Sequence, residues 1–246
     1  MHIHTPKSAC YADTSVTLEQ IVETALAAGL EAIAITDHNT FEAIDNIREI
    51  AKRKGLFVFP GVELSTKSGH FISLFETDAA IDLLDDFLDY LNVDRKGRGD
   101  GAATLTVEAE EVLEKIEERG GISMAAHIER WPSGFLESGE PRQVKMRIHA
   151  SRYLSALEIT IPQYKELWNN GEVRDYPKKY ACIQGSDAHN LDEIGRRPVY
   201  IKMDSVNLSG LRAAFNDFEE RIAFPDEYNE SQRQKLNRSK RGYENG

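Results

Sequence analysis

The sequence has very little cysteine, no long apolar run and no secretory leader pattern. Its 246 residues include two cysteines, Cys10 and Cys182, too few for a disulfide framework, which favours a reducing, cytoplasmic location. No apolar stretch approaches the roughly 18 residues that a membrane span needs. The N-terminal residues MHIHTPKSAC lack the basic and apolar regions of a signal peptide. The sequence therefore disfavours both a membrane protein and a secreted protein.

Basic side chains are scarce over one long stretch. The formal net charge is −11, and between residues 76 and 118 fourteen acidic side chains accompany only four basic ones. We interpret this stretch as solvated helix faces. The body of the chain shows no basic stripe of the kind that binds long nucleic acids, although five basic side chains fall in the last sixteen residues.

Apolar periodicity alternates between short strands and amphipathic helices. The strand-like runs are EAIAIT (31–36), LFVF (56–59), HFISLF (70–75), ISMAA (122–126), LEIT (157–160), ACIQ (181–184) and VYIKM (199–203). The helical patterns cover 16–28, 41–54, 80–91, 107–119 and residues near 208–215, while 94–103 and 130–152 resemble loops. Roughly seven or eight βα units predict an α/β fold with parallel strands, closed into a distorted barrel. We expect one domain over 1–224 and a polar, frayed tail over 225–246.

Histidines and acids fall beside the ends of these strands. An H-x-H pair opens the chain and a D-x-H pair follows ACIQ, and in extended backbone each pair lies on one face. The set comprises His2, His4, His38, Glu63, His70, His127, Asp187 and His189. Because the C-terminal strand ends of a parallel αβ barrel meet at one mouth, we expect these side chains to meet there.

Imidazoles and carboxylates are the ligands that Zn²⁺, Mn²⁺ and Fe²⁺ prefer. One ion needs only three or four protein ligands, so the surplus indicates two or three ions. Clustered cations lower the pKa of bound water, supply a hydroxide nucleophile and stabilise the charge that builds on phosphorus, which favours phosphate ester hydrolysis. No G-x-S-x-G, P-loop or G-x-G-x-x-G motif offers another chemistry.

Three arginines near the expected mouth are candidates for binding the substrate phosphate: Arg130, Arg196 and Arg197. Cys10 lies near the same mouth, and we interpret it as a small apolar side chain. His149 belongs to no strand end, so we assign it to the surface or the core.

The motifs H-I-H-T, I-T-D-H-N, G-V-E-L-S, the isolated His70, A-A-H and G-S-D-A-H resemble those of the PHP domain, named for polymerase and histidinol phosphatase. The likeness in order and rough spacing covers about residues 1–205. It implies a distorted (β/α)₇ barrel with a trinuclear metal site and phosphoesterase activity.

The resemblance also implies a role for each ligand. It assigns one metal to His2, His4 and Asp187, with Glu63 bridging to a second that His70 and His127 complete. It assigns a third to His38, His189 and an acid soon after H-x-H, which is best matched by Asp13, although the family usually has that acid closer to the second histidine. Asp37 resembles a residue that orients the ligands from behind.

The predicted function is hydrolysis of a small phosphorylated substrate by metal-bound hydroxide, with two or three Zn, Mn or Fe ions. A nucleotide bisphosphate or an oligonucleotide end, including a single-stranded one, would be such a substrate. Two alternatives stay open. One is a nuclease module of a larger nucleic-acid-processing protein, which the basic tail would suit. The other is a non-catalytic, metal-bound structural domain, which a complete ligand set disfavours.

Overall fold

The structure, a computed structural model, describes residues 1–229 of the chain. The strands are β1 (Ala32–Ile35), β2 (Phe57–Thr66), β3 (Gly69–Leu74), β4 (Ile122–Ala125), β5 (Leu154–Glu158), β6 (Ala181–Ile183), β7 (Tyr200–Ile201) and β8 (Ile222–Ala223). The helices are α1 (Leu18–Ala27), α2 (Ile44–Lys54), α3 (Ile81–Tyr90), α4 (Ala109–Glu118), α5 (Arg142–Ala150), α6 (Lys165–Asn170), α7 (Leu208–Asn216) and α8 (Phe218–Arg221). Among the described residues, no helix has the length and apolar character needed to cross a bilayer.

Strands β1 to β6 form one curled sheet in chain order. Parallel pairing joins β1 to β2, β4 to β5 and β5 to β6. Strand β3 is antiparallel to both neighbours, which corrects the expectation of an all-parallel sheet. Only Lys67 and Ser68 separate β2 from β3, whereas a parallel crossover needs a dozen or more residues. The reversal brings the start of β3 to the edge where the parallel strands end.

The first residues of the chain close this sheet into a distorted barrel. Ile3 forms parallel bridges to Ile35 of β1 and to Ala188 beyond β6. The Thr36 N–H donates to the Ile3 carbonyl at 2.9 Å, and the His4 N–H donates to the Ala188 carbonyl at 3.0 Å. The H-x-H segment therefore occupies the seventh position of the ring. Strands β7 and β8 pair with each other in a separate sheet, so the predicted strand VYIKM does not belong to the barrel.

Local signals in the sequence account for most helix boundaries. Thr17 and Gln20 form the expected capping box at the start of α1. Gly55 ends α2 in the left-handed region, with φ of 78°. Helix α5 was not expected, since 130–152 resembled a loop. Only Ile148 and His149 of this basic helix are buried, so its apolar periodicity is weak.

His149 lies in the core inside an aromatic cage. Its ring is 1% exposed and packs against Trp168, Tyr176 and Tyr180, with centroid distances of 5.8, 5.1 and 5.0 Å. Neither ring nitrogen has a hydrogen-bond partner among the described residues. Burial, assisted by the Lys178 charge, lowers the pKa of His149 to about 4. The folded protein therefore holds this imidazole neutral.

The His149→Phe variant should lose less stability than the wild type when the pH is lowered into the mildly acidic range. The pKa of His149 is lower in the folded protein than the unfolded value of 6.5. As the pH falls below 6.5, His149 is therefore protonated in the unfolded chain but stays neutral in the folded chain. Between pH 6.5 and about 4 this should lower the free energy of unfolding by up to roughly 3 kcal/mol. Urea unfolding at several pH values should show a flatter profile for His149→Phe than for the wild type. Equal slopes would contradict the expectation.

Residues 225–229 are the described part of the predicted tail. They are helical, and Tyr228 stacks on Tyr200 with ring centroids 3.8 Å apart. The rest of that tail, 230–246, lies outside the described residues. The single domain over 1–224 stays a prediction.

Candidate metal centre

The barrel brings eight of the nine predicted ligands to one mouth. His38 follows β1, Glu63 lies in the second half of β2, His127 follows β4, and Asp187 and His189 follow β6. His2 and His4 come from the closing segment. His70 joins them from the start of β3 because that strand is antiparallel and its Ser65 partner lies beyond Glu63 on β2.

Four donor atoms form a compact cage at the centre of this mouth. They are Nε2 of His2, Nε2 of His4, Oε2 of Glu63 and Oδ1 of Asp187. The five distances that involve an imidazole nitrogen are all 3.1 or 3.2 Å. Four ligands arranged tetrahedrally around Zn²⁺ at about 2.0–2.1 Å lie about 3.3 Å from each other. The cage therefore has the dimensions of a site for one divalent cation.

The two histidines of the cage have their other nitrogens occupied. His2 Nδ1 lies 2.8 Å from Glu158 Oε2, and His4 Nδ1 lies 3.0 Å from Ser8 Oγ. If both rings are neutral and donate through Nδ1, two Nε2 lone pairs face each other at 3.2 Å. A proton or a metal ion must lie between or beside such a pair, and together with the two carboxylate oxygens the donor set fits a metal ion.

Glu63 connects this cage to a second group of donors. While Oε2 faces the cage, Oε1 lies 2.9 Å from both His70 Nδ1 and His127 Nε2. His38 Nδ1 approaches Oε2 at 3.2 Å but makes no hydrogen bond, and it is a buried atom without a partner. One fully buried carboxylate thus presents each oxygen to a different set of imidazoles, which is the geometry expected of a bridging ligand.

The charges in the cluster are strongly coupled. Burial alone would raise the pKa of Glu63, but the imidazoles of His2, His38 and His70 hold it well below its usual value. Burial alone would lower the pKa of His4, but hydrogen bonds to Asp187 and Glu63 raise it to about 9. The carboxylates are therefore ionised and ready to bind cations, and His4 must release a proton when a cation replaces it.

A third group of donors lies on the other side of His4. It comprises His4, Cys10, His38 and His189, with one ligand atom from each within 4.8 Å of the others. Asp13 does not join it, which corrects the expected position of this acid. Asp13 is exposed, and its Oδ1 accepts hydrogen bonds from the backbone and hydroxyl of Ser15 at 2.9 and 2.7 Å. Its carboxylate stabilises the turn before α1 instead.

Asp37 lies behind the cluster. Its Oδ1 accepts hydrogen bonds from the Ser8 hydroxyl and the Thr5 N–H, both at 2.7 Å. Because Ser8 donates to Asp37, its oxygen is free to accept from His4 Nδ1. The chain Asp37–Ser8–His4 therefore directs the Nε2 lone pair of His4 into the cage.

Glu158 orients His2 in the way that Asp37 and Ser8 orient His4, and the sequence analysis did not identify it. Its Oε2 lies 2.8 Å from His2 Nδ1 and accepts the His127 N–H at 2.9 Å. The side chain is buried, and Oε1 has no partner among the described residues. A side chain at Gly185 would collide with this oxygen. The only signal in the sequence is an acid between the apolar residues Leu157 and Ile159 of a predicted strand.

Replacing Glu158 with glutamine should weaken metal binding roughly 10- to 100-fold, the usual cost of losing a partner behind a ligand. The neutral amide no longer fixes the tautomer of His2 by charge. Metal affinity should be measured by competition with a chelating dye. Glu166→Gln on exposed α6 is the matched control and should leave the affinity unchanged. Equal affinities in both variants would show that Glu158 does not position His2.

Backbone strain accompanies the cluster. His127 and Asp187 have φ values of 27° and 46°, and non-glycine residues with positive φ cost about 1–3 kcal/mol each. Both lie where a strand ends and the chain turns. Asn39, with φ of 52°, holds the neighbouring loop, since its Nδ2 donates to the carbonyls of Asp100 and Ala103. Strain of this kind is typical of functional sites.

Two of the three predicted arginines border the cluster. Arg130 Nη1 pairs with Asp187 Oδ2, and its side chain is 35% exposed. Arg196 donates to the Ser186 carbonyl at 3.1 Å and to Glu193 at 2.8 Å. Arg197 makes no hydrogen bond or ion pair with the rest of residues 1–229. The guanidinium group nearest the donors is therefore that of Arg130.

Comparison with known proteins agrees with this geometry. A model of the PHP domain matches residues 1–159. An uncharacterized protein of Methanocaldococcus jannaschii is 31% identical over 135 residues, which are 52% of this chain and 65% of that protein. A phosphoribosyl 1,2-cyclic phosphate 1,2-diphosphodiesterase of Eggerthella lenta is 37% identical over 65 residues, which are 26% of this chain and 23% of that protein.

Solved structures share the fold at low sequence identity. A lesion-specific endonuclease from Pyrococcus furiosus superposes with a TM-score of 0.67 and 15% identity, covering 91% of this chain and 56% of that one. A two-domain protein with a predicted PHP-like metal-dependent phosphoesterase from Bacteroides vulgatus gives 0.62 and 16%, covering 91% and 62%. The chain thus spans less than two thirds of the length of each of these proteins.

Proposed function

Because this chain belongs to the PHP domain family of metal-dependent phosphoesterases, we propose that it hydrolyses small phosphate esters that carry a second anionic group. The bridging geometry of Glu63 carries the proposal. Its two oxygens face two donor groups, so two cations held there would be close enough to act on one phosphate. The alternative of a metal-bound structural domain requires no such arrangement.

We assign the first cation to His2, His4, Glu63 and Asp187, and the second to Glu63, His70 and His127, with His38 beside both. Zn²⁺, Mn²⁺ and Fe²⁺ all suit these ligands. Such cations supply Lewis acidity and an activated water when bound. The protein's own contribution is to hold the donors in place through Asp37, Ser8 and Glu158 and to present a guanidinium at the rim.

Arg130 is suited to bind a phosphate oxygen. Its partner Asp187 Oδ2 belongs to a carboxylate whose other oxygen, Oδ1, faces the cage. A cation bound by Asp187 would weaken the ion pair and free guanidinium donors for the substrate. Arg196 is held by Ser186 and Glu193 at the same strand end. Arg196 and Arg197 are candidates for the second anionic group.

A small substrate suits the charge of the molecule. The net charge of −11 comes with no basic stripe in the body, so counterion release can add little affinity for long duplex DNA. The Eggerthella lenta relative is named for a small cyclic phosphodiester on a phosphorylated ribose, which supports the same class of substrate. A cytoplasmic location, favoured by the low cysteine content, stays a prediction.

Replacing Arg130 with alanine should raise KM for a phosphate ester roughly 10- to 100-fold, because a charge-assisted hydrogen bond is worth about 1.5–3 kcal/mol. Steady-state kinetics with saturating Mn²⁺ should separate this from a change in kcat. Arg53→Ala is the matched control, since Arg53 is exposed on α2 and, within residues 1–229, pairs only with Glu49. An unchanged KM in Arg130→Ala would remove Arg130 from the substrate site.

The substrate class is tested by comparing hydrolysis rates for a nucleoside bisphosphate, a short single-stranded oligonucleotide and a long duplex, each at two salt concentrations. We expect the bisphosphate or the oligonucleotide end to react fastest, with a weak dependence on salt. Faster cleavage within the duplex, falling steeply with salt, would favour the nuclease module. Failure to hydrolyse any of these esters with metal bound would favour the structural domain.

A further inference from the structure

We propose that Cys10 supplies a thiolate ligand for a third divalent cation, held together with His38 and His189 beside His4. This inference rests on the proposed function, since it completes the same metal centre. Sequence reasoning assigned the position to Asp13 and interpreted Cys10 as a small apolar side chain.

The three donors lie close together, in one group with His4. One ligand atom from each, including the Cys10 sulfur, falls within a 4.8 Å group. The imidazole of His4 lies between the other two rings, and its centroid is 4.3 Å from that of His189 and 4.6 Å from that of His38. His4 has no nitrogen left for this ion, since its Nε2 faces the first cage and its Nδ1 bonds Ser8. Two imidazoles and one sulfur, with water in the fourth position, form a set that tetrahedral Zn²⁺ accepts.

His38 points independently to a ligand. Its residue is 6% exposed, and its Nδ1 is a buried atom without a hydrogen-bond partner. An unpaired buried nitrogen costs about 1–3 kcal/mol, and a cation among these imidazoles would use the unsatisfied ring. His38 also lies beside Glu63 and His70, so it is positioned between the second and the third cation.

The backbone fixes the position of Cys10 on both sides. The Ala9 N–H donates to the Gly99 carbonyl at 2.7 Å, and the Ala12 N–H donates to the His189 carbonyl at 2.8 Å. The second bond ties the Cys10 segment directly to one of the other ligands. The sulfur makes no hydrogen bond within residues 1–229, and Cys10 is exposed. It is therefore accessible both to a cation and to thiol reagents.

Cation binding at this site would displace the thiol proton to solvent, leaving a sulfur–metal bond and no change of oxidation state. A thiolate is a softer ligand than the carboxylate expected from the family resemblance. It would favour Zn²⁺, Co²⁺ or Fe²⁺ over Mn²⁺ at this position. The three sites of one centre would then differ in metal preference.

The test is titration of the metal-free full chain with Co²⁺, followed by absorption spectroscopy. A thiolate bound to Co²⁺ gives a charge-transfer band in the near ultraviolet that imidazole and carboxylate ligands do not give. We expect the band in the wild type, in Asp13→Asn and in Cys182→Ala, and its loss in Cys10→Ser. Because the chain has only two cysteines, the Cys182 control makes the assignment unambiguous.

Metal content provides a second measurement. Cys10→Ser should hold one ion per chain fewer than the wild type, and Cys10→Asp should regain that ion without the charge-transfer band. Absence of the band from Co²⁺-loaded wild type, or its persistence in Cys10→Ser, would overturn the proposal. Phosphate ester hydrolysis by the Mn²⁺-loaded wild type would still stand in that case, so failure of the thiolate ligand is distinguishable from failure of the proposed function.

Discussion

Replacing Glu63 with glutamine is expected to lower the turnover of a phosphate ester by roughly 10²- to 10⁴-fold. The carboxylate is fully buried and presents its two oxygens to different groups of imidazoles. Removing one charge of a buried ionic cluster costs about 3–5 kcal/mol, and each 1.4 kcal/mol is a factor of ten. A neutral amide also offers only one oxygen, so it cannot hold two cations together.

The measurement is kcat under saturating Mn²⁺, with metal content determined on the same samples. Glu111→Gln on the exposed face of α4 is the matched control and should retain full turnover. Circular dichroism should show that Glu63→Gln keeps its secondary structure. Turnover equal to that of the wild type would mean that Glu63 does not bridge.

Removal of the metals by a chelator should abolish activity and lower the melting temperature by roughly 8–16 °C. A ligand present at 1,000 times its Kd stabilises the folded state by about 4 kcal/mol. For a domain of this size, 1 kcal/mol shifts the melting temperature by about 2–4 °C. The loss follows because Glu63, Asp187 and Glu158 remain buried as carboxylates after the cations leave.

The pH dependence of this drop in melting temperature tests whether a proton on His4 takes the place of the metal in the chelated protein. In the chelated protein the pKa of His4 is raised to about 9 from 6.5. A proton on His4 thus contributes stability that is complete below pH 6.5 and disappears as the pH rises through 9. The drop in melting temperature on chelation should therefore be larger at pH 9.5 than at pH 7. A larger drop at pH 7 would contradict the assigned protonation of the empty cage.

The sequence predicted most of the donors because strand ends are readable locally. His38, His127, Asp187 and His189 each follow an apolar strand run, and in a barrel those ends meet by topology rather than by any detailed contact. The period of two in H-x-H placed His2 and His4 on one face. The direction of β3 was misjudged because the predicted strand LFVF ends at residue 59, whereas β2 runs to Thr66 and leaves only two residues, a hairpin connection, before β3.

The remaining residues depend on tertiary contacts that no local pattern records. Cys10 reaches His4 and His189 because backbone bonds from Ala9 and Ala12 fold its segment onto the mouth. Asp13, only three residues later, lies in a turn whose donors occupy its carboxylate. Glu158 looked like one position of a buried strand, and only the packing of His2 against it gives the acid its role.

The proposed metal centre requires cations on both sides of Glu63. Anomalous diffraction from crystals grown with Mn²⁺, recorded above and below the manganese absorption edge, locates such ions without any assumption about the substrate. We expect one peak within bonding distance of His2, His4, Asp187 and Glu63 Oε2, and another beside His70, His127 and Glu63 Oε1. Metal-loaded crystals with no peak at either oxygen of Glu63 would contradict the assignment of this mouth as the metal centre.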